Sequence, residues 1–291
     1  MHPYPHITPF RRRAASDSKP GQVALVGAGS SSSGLDQLTI GALRAIAAAD
    51  VVFYDALIAD QVLALIPKSA IAIYTGKRCG QHALKQEEIN ALLVHWARLG
   101  FAVVRLKAGD PFIFGRGSEE IEALRQAGIA YRVVAGVSAL NAVAANFTLP
   151  LTMRGAGNEF RAIQGHHLPQ DAGYWHDLAR YNGTVIIFMG SEKWQEIAQR
   201  LVIHGKDGTT PFAMIETASD GHQVVQRGTL AEAQTARFRR QTDGPAIIYF
   251  GHNVAFMDAA PSGDTTHDRF TLNELHLQKE TAHGVVTAHF S

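Results

Sequence analysis

Cysteine is nearly absent from the sequence: Cys79 is its one example in a chain of 291 residues. A single cysteine excludes an internal disulfide framework and a structural zinc site built from cysteines. The 14 histidines are scattered and show no metal-binding spacing on a clear helix, so we predict no metal site. A reducing cytoplasm is the expected location.

Long apolar runs and an excess of one charge are also missing. No segment approaches the ~20 apolar residues that a transmembrane helix needs, and 27 basic residues nearly balance 26 acidic ones. The first twenty residues include Arg11, Arg12 and Arg13 but no apolar core of the kind found in secretory signals. The sequence therefore predicts no membrane span, no nucleic-acid-binding surface and a loose N-terminal tail over 1–20.

What the sequence does contain, in its first half, is a regular alternation of short apolar runs and helical patterns. Near-continuous apolar strands separated by helices are typical of a parallel sheet that is covered on both faces. Gly100 stands where the helix before it is expected to end. We predict strands at 23–27, 51–54, 70–74, 102–106 and 131–134, and helices at 40–49, 86–99, 118–126 and 138–146.

The second half has fewer clear helices, which favours a mixed sheet because parallel strands need long crossover connections. We predict strands at 160–163, 184–188, 212–215, 224–226 and 246–249, and one clear helix at 192–201. The residues Thr148-Leu149-Pro150 mark the junction. The sequence thus predicts two α/β domains, 21–148 with a parallel sheet and 149–257 with a mixed sheet, and a C-terminal tail over 258–291.

The most informative segment is 103–120. An apolar strand ends there in the tight turn Gly109-Asp110-Pro111, and Arg116 lies between two glycines just before a helix. This places backbone amides, one carboxylate and one guanidinium around a small space at the carboxyl end of a strand. Ligands bind at that end of the strands in open α/β sheets, so the segment predicts a binding site.

Two other strand ends allow a competing hypothesis. Gly27-Ala28-Gly29 is half of a dinucleotide fingerprint, and Asp55 follows the second strand, where a Rossmann protein places its ribose-binding acid. A nicotinamide-dependent oxidoreductase is therefore an alternative, although a simple tight turn accounts for the glycines equally well. Asp55 itself is interpreted either as the cap of the next helix or as a carboxylate presented into a cleft.

Cations cluster in the loops after the predicted strands. Lys77, Arg78 and His82 lie in a glycine-bracketed loop after the third strand, and Arg116 and Arg154 add two further cations. A solvated turn would be enough to account for one such loop. Several cations at strand ends fit recognition of an anionic substrate better.

Taken in order over residues 23–255, these motifs resemble the tetrapyrrole methylase family. The resemblance implies two α/β domains with S-adenosyl-L-methionine in the cleft between them, a homodimer, and no Rossmann dinucleotide site. Its most specific part is the long segment around Gly-Asp-Pro. The matching motifs are Gly-Lys-Arg-x-Gly-x-His at 76–82, Arg-Leu-Lys-x-Gly-Asp-Pro-Phe-Ile-Phe-Gly-Arg-Gly at 105–117, Pro-Leu-Thr-x-Arg at 150–154, Gly-His at 165–166 and Met-Gly at 189–190.

The resemblance also implies roles for individual residues, in three groups. The cofactor pocket would be lined by Gly29, Ala108, Gly109, Asp110, Ile113, Ser138, Ala139, Met189 and Ala218. Substrate handling and catalysis would fall to Asp55, Lys77, Arg116 and again Met189, and further contacts to the substrate would come from Arg78, His82 and Arg154.

The motifs match best the members of the family that methylate uroporphyrinogen III twice to give precorrin-2, the precursor of sirohaem and cobalamin. Methyl transfer from a sulfonium needs positioning rather than a protein nucleophile. A carboxylate such as Asp55 could stabilise the cationic macrocycle or accept its proton. The alternatives are another tetrapyrrole or precorrin substrate, the nicotinamide-dependent oxidoreductase, and a non-catalytic binding protein.

The sequence departs from the family pattern mainly around the expected cofactor pocket. Ser30–Ser33 replaces the usual Pro-Gly-Asp-Pro, and Ala108 replaces a glycine. Ser138 stands where the family has a threonine, and Ala218 stands where it has a glycine. These changes leave the expected fold intact and bear on cofactor affinity or on the choice of tetrapyrrole.

Overall fold

The computed structural model describes residues 21–30, 34–76, 84–218, 220–235 and 237–258. The predicted N-terminal tail, and the predicted C-terminal tail beyond Asp258, lie outside the described residues. None of the helices in the described ranges is long and apolar enough to cross a membrane.

The first half alternates strands and helices as the sequence predicts. Its elements are β1 (Gln22–Gly27), α1 (Ile40–Ala47), β2 (Val51–Tyr54), α2 (Asp60–Leu63), β3 (Ile71–Tyr74), α3 (Gln86–Arg98), β4 (Val103–Lys107), α4 (Gly117–Gln126), β5 (Ala130–Val134) and α5 (Ala139–Asn146). The five strands form one parallel sheet in the order β3-β2-β4-β1-β5.

Strand β1 shows why the strands of this sheet are continuously apolar. Val23 and Leu25 pack into a cluster with α3 and α4 on one face of the sheet. Ala24 and Val26, which alternate with them, pack with α1 on the other face. Both faces of the sheet are therefore covered, and the predicted parallel α/β arrangement is confirmed.

The second half is also α/β, and its sheet is mixed, as predicted. Its elements are β6 (Phe160–Gln164), α6 (Ala172–Arg180), β7 (Thr184–Phe188), α7 (Trp194–Ile203), β8 (Pro211–Thr217), β9 (Gln223–Thr229), α8 (Leu230–Ala233) and β10 (Ala246–Phe250), followed by a 3-10 helix at His252–Phe256. The strand order is β6-β7-β10-β8-β9, with β6 and β7 parallel and the other pairs antiparallel.

The sequence did not predict helix α6. The Asp171 side chain caps it by accepting a hydrogen bond from the Tyr174 amide at 2.9 Å. Trp175 and Leu178 then bury one narrow stripe of the helix against the second core. Most of its other positions are polar or small, so its apolar pattern is too short to stand out in the sequence.

Helix α5 connects the two halves. Val143 and Phe147 pack in one cluster with Ile186 of β7 and Ile215 of β8. The buried Tyr249 hydroxyl donates a hydrogen bond to the Leu140 carbonyl at 3.0 Å. The helix is thus docked on the second sheet, although it precedes the domain boundary that the sequence predicts at 148/149. That boundary stays a prediction.

Candidate active site

Three glycines bring the carboxyl ends of β1, β4 and β5 into direct backbone contact. A Cβ on Gly136 would lie 2.1 Å from the Gly109 carbonyl oxygen, and a Cβ on Gly27 would lie 2.5 Å from the Gly136 Cα. Any larger side chain would force these strand ends apart. The glycines therefore let the three strand ends pack backbone to backbone at this edge of the first sheet.

Asp110 fastens this edge with its side chain. Its Oδ2 atom accepts a hydrogen bond from the Gly136 amide at 3.0 Å, and its Oδ1 atom accepts one from the Phe112 amide at 2.8 Å. The Gly109 amide donates to the Gly29 carbonyl at 2.7 Å. The carboxylate of Asp110 is thus used to hold the loops after β4 and β5 together.

The start of α5 completes this group. The Ser138 side chain caps the helix by accepting from the Leu140 amide at 3.4 Å. A Cβ on Gly109 would lie 3.6 Å from the Ala139 nitrogen. The structure thereby gathers the first set of expected cofactor residues in one place: Gly29, Ala108, Gly109, Asp110, Ser138 and Ala139.

Met189 lies at the corresponding edge of the second sheet, directly after β7. Its backbone is left-handed (φ 52°) and its side chain is 48% exposed. A Cβ on Gly165 would lie 2.5 Å from the Gly190 Cα, so glycines pack backbone to backbone here too. Ala218 follows β8 and is partly exposed at the same edge of this sheet.

An aromatic contact joins the edges of the two sheets. The rings of Phe114 and Phe188 lie with centroids 4.8 Å apart, which brings the loop after β4 to the end of β7. Ile113, beside Phe114, is 38% exposed. The apolar side chains of Ile113 and Met189 therefore border the cleft between the halves, where the family resemblance places the cofactor.

Asp55 follows β2 at the edge of the first sheet. Both of its carboxylate oxygens accept hydrogen bonds from Arg105 Nη2 at 2.7 Å, and Oδ1 also accepts one from Thr75 Oγ1 at 2.8 Å. Its side chain remains 33% exposed. The next helix begins at Asp60, so the interpretation of Asp55 as its cap is wrong.

The same geometry disfavours the nicotinamide-dependent oxidoreductase. In a Rossmann sheet the first strand lies beside the second, whereas β4 separates β1 from β2 here. Asp55 is paired with Arg105 and so does not serve as a free ribose-binding acid.

Beneath Asp55 lies a buried ionic cluster that the sequence interpretation missed. Arg105 Nε donates to Glu120 Oε1 at 2.9 Å, and Lys107 Nζ donates to the same oxygen at 3.1 Å. Glu120 is fully buried, and its Oε2 atom has no partner among the described residues. Two cations two positions apart in a strand covered on both faces were the sequence signal for this cluster.

Burial and pairing act in opposite directions on the two cations. Burial lowers the pKa of Lys107, and its contact with Glu120 offsets only part of that effect. Burial would also lower the pKa of Arg105, but the attraction of Asp55 and Glu120 outweighs it and raises that pKa. Arg105 is thus a permanent cation behind Asp55.

Arg116 is the first expected substrate cation that the structure places. It has a left-handed backbone (φ 58°) at the start of α4, and its Nε and Nη2 atoms each donate to Glu119 at 2.7 Å. These hydrogen bonds raise the pKa of Arg116 and lower that of Glu119. The guanidinium is 56% exposed and already carries a carboxylate partner.

The other expected cations are less fully placed. Arg154 lies exposed in the turn closed by the bridge between Met153 and Gly157. Lys77, Arg78 and His82 lie outside the described residues. No group of three or more histidine, cysteine, aspartate or glutamate side chains that could hold a metal ion occurs within the described ranges.

Fold and site together define an α/β protein whose two sheets turn their glycine-rich edges toward one cleft. The family model for Tetrapyrrole (Corrin/Porphyrin) Methylases matches residues 22–234. The chain belongs to the tetrapyrrole methylase family.

Individual relatives agree with this assignment. Siroheme synthase 1 of Serratia proteamaculans is 42% identical over 256 residues, covering 86% of this chain and 53% of that protein. Siroheme synthase 1 of Pectobacterium atrosepticum is 46% identical over 235 residues, covering 80% of this chain and 48% of that protein. The chain thus spans about half the length of the curated relatives it matches.

One solved structure matches this fold over the whole length of the solved chain. The uroporphyrin-III C-methyl transferase of Thermus thermophilus, complexed with S-adenyl homocysteine, superposes with a TM-score of 0.69 at 36% identity. The match covers 81% of this chain and 100% of that one. The predicted fold class, a parallel and a mixed sheet of the tetrapyrrole methylase type, is confirmed.

Proposed function

We propose that this protein transfers two methyl groups in succession from S-adenosylmethionine to carbon atoms of uroporphyrinogen III, giving precorrin-2. The observation that carries the proposal is the Asp55 carboxylate, which Arg105 holds at the same edge of the first sheet as the closely packed glycine loops. The names of the relatives, siroheme synthase and uroporphyrin-III C-methyl transferase, support this choice of substrate.

The residues at the cleft fit S-adenosylmethionine. The close packing of Gly27, Gly109 and Gly136 keeps side chains away from the strand ends at which the nucleoside would bind, and Ile113 and Met189 offer exposed apolar surface. When bound, the cofactor supplies an electrophilic methyl group. Gly29, Ala108, Asp110, Ser138, Ala139 and Ala218 complete the proposed pocket.

Asp55 has the chemical role in this proposal. Attack of a pyrrole carbon on a methyl group leaves the macrocycle with a positive charge until a ring proton departs. A carboxylate in a fixed position can stabilise that charge and accept the proton. Arg105 and Thr75 hold the carboxylate in one orientation. The carboxylate therefore does not have to reorient during the reaction.

The substrate would be held by cations. Uroporphyrinogen III carries eight carboxylates, and we assign Arg116 and Arg154 to them, together with Lys77, Arg78 and His82 from the loop outside the described residues. Arg116 would exchange, or share, its bidentate contact with Glu119 when a substrate carboxylate arrives. We also propose that the active form is a homodimer, which sedimentation measurements would test.

The test is anaerobic incubation with uroporphyrinogen III and S-adenosylmethionine, followed by mass spectrometry. Products heavier by one and by two methyl groups are expected. Unchanged uroporphyrinogen, with methylation of a later precorrin instead, would assign the enzyme to another tetrapyrrole.

Two variants, the first with a matched control, test the assignment of residues. Asp55→Asn should lower kcat by about 10²-fold or more, the range typical of general acid–base catalysis. Asp60→Asn, an exposed aspartate five positions on, serves as its control and should retain full activity. Arg116→Ala should remove most turnover without unfolding the protein, and a wild-type rate would exclude Arg116 from substrate binding.

A further inference from the structure

Arg240 links the two turns that border the second-sheet side of the cleft. Its Nη1 atom donates to Ser191 Oγ at 2.9 Å, two residues after Met189. Its Nη2 atom donates to the Thr242 carbonyl at 2.9 Å and also to the Gly244 carbonyl. One guanidinium therefore contacts both the turn after β7 and the loop that leads into β10.

That loop packs directly against the end of β8. A Cβ on Gly244 would lie 1.7 Å from the Thr217 carbonyl oxygen and 3.3 Å from the Ala218 Cα. The Thr217 amide donates to the Pro245 carbonyl at 2.9 Å. Gly244 thus packs directly against the backbone of Thr217 and Ala218 at the end of β8.

Arg240 is held by a fully buried carboxylate, that of Glu216. Arg240 Nε donates to Glu216 Oε2 at 3.0 Å. The Gln241 amide donates to Oε1 at 3.0 Å, and the Thr242 amide donates to Oε2 at 2.9 Å. With so many donors the carboxylate is fixed, and it fixes the guanidinium in turn.

The sheet itself does not connect the two turns directly. Strands β7 and β8 are separated by β10, which runs antiparallel to both, so Met189 and Ala218 follow strands that are not neighbours. Met189 is also in a left-handed conformation, which surrounding contacts must maintain in a residue other than glycine. Arg240 contacts the same turn through Ser191.

We propose that Arg240 is a positioning residue for cofactor binding: it holds the Met189 turn and the Ala218 turn at a fixed separation. The inference rests on the proposed cofactor site and adds to it a residue outside the pocket. Without Arg240 the distance between the two turns would vary. A ligand that contacts both turns at one particular distance would then bind more weakly. Arg240 acts through the turns and does not contact the reacting atoms.

The test is calorimetric titration of S-adenosylhomocysteine into the protein of 291 residues. Arg240→Met should raise the Kd by about tenfold, corresponding to the loss of one or two charged hydrogen bonds in organising the site. Arg237→Met is the matched control, because Arg237 lies in the same segment, is exposed and pairs with Glu232 instead. Its Kd should equal that of the wild type.

A second variant keeps the test independent of folding. Ser191→Ala removes the link to the Met189 turn and leaves the Glu216–Arg240 pair intact, so it should raise the Kd by about threefold with an unchanged Tm. In steady-state kinetics, both variants should raise KM for S-adenosylmethionine more than KM for the tetrapyrrole.

The outcomes separate this inference from the proposed function. Wild-type affinity in both Arg240→Met and Ser191→Ala, or an equal loss in Arg237→Met, would overturn the role of Arg240 alone. A wild-type protein that binds S-adenosylhomocysteine but does not methylate uroporphyrinogen III would overturn only the proposed substrate. A wild-type protein that does not bind S-adenosylhomocysteine would overturn both.

Discussion

Arg105 donates from a single nitrogen to both carboxylate oxygens of Asp55, at 2.7 Å each, across a separation of 50 residues in sequence. The guanidinium is buried beneath the carboxylate, and Glu120 holds its other side at 2.9 Å. The orientation of Asp55 is therefore decided by a residue on a neighbouring strand. This arrangement makes Arg105 a target for mutation as informative as Asp55 itself.

We expect Arg105→Lys to lower kcat by about tenfold, because lysine keeps the charge but cannot present the planar fork that reaches Asp55 and Glu120 together. KM for S-adenosylmethionine should stay unchanged, since the hydrogen bonds of this side chain within the described ranges go to Asp55, Thr75 and Glu120. The measurement is steady-state kinetics with each substrate varied.

Lys107→Met is the control for this experiment. It alters the same buried cluster through Glu120 but leaves the contact with Asp55 in place. Its kcat should stay near that of the wild type, even if its Tm changes. An equal fall in kcat for both variants would mean that the effect of Arg105→Lys does not arise from its contact with Asp55.

Gly136→Ala should destabilise the protein by about 1–3 kcal/mol, because the new methyl group would overlap the Gly109 carbonyl and the backbone would have to move. The affinity for S-adenosylhomocysteine should fall as well. Gly208→Ala provides a comparison, since its Cβ would meet only Ala231 Cβ at 3.4 Å. Urea unfolding would reveal the difference, and equal stability of the two variants would contradict the proposed close packing.

The buried carboxylate of Glu216 should make part of the stability depend on pH. Burial would raise its pKa, but the hydrogen bonds from Thr242, Arg240 and Gln241 outweigh that effect and lower the pKa from 4.5. A group with a lowered folded-state pKa contributes stability above its unfolded pKa, and this contribution is lost as the pH falls through the folded value.

Glu216→Gln should therefore cost most stability at neutral pH, and its difference from the wild type should shrink as the pH falls below 4.5. Urea unfolding at several pH values measures this difference. The exposed Glu192, replaced by glutamine, should show no such trend. A constant difference between wild type and Glu216→Gln at all pH values would rule out this linkage.

The docking of α5 can be tested with two tyrosines. Burial raises the pKa of Tyr249 and keeps its hydroxyl a neutral donor to the Leu140 carbonyl. Tyr249→Phe should cost about 1 kcal/mol and speed hydrogen exchange in α5. The hydroxyl of Tyr181 is buried with no partner among the described residues, so Tyr181→Phe should be neutral or stabilising. A larger loss of stability in Tyr181→Phe than in Tyr249→Phe would contradict the proposed role of the Tyr249 hydrogen bond in docking α5.

Much of the fold could be predicted because it depends on local patterns. The strand β2 begins and ends where its apolar run does, and Gly100 follows α3 with a positive φ of 85°. The Gly109-Asp110 turn was identified as part of a site because glycine and aspartate directly after an apolar run indicate a tight turn that carries a carboxylate at a strand end. Helix α6 was missed because tertiary packing, rather than a long apolar stripe, stabilises it.

Local sequence was enough to establish which residues stand at strand ends, and so which loops could form a site. Which of those ends meet depends on the folded arrangement of the sheets. The order of strands places β4 beside β2, and so brings Arg105 to Asp55. It also places β10 between β7 and β8, so that Arg240 connects turns that follow strands which are not neighbours. Strand order is settled by the packing of the whole core, so pairs of residues far apart in sequence acquire their function only in the folded protein.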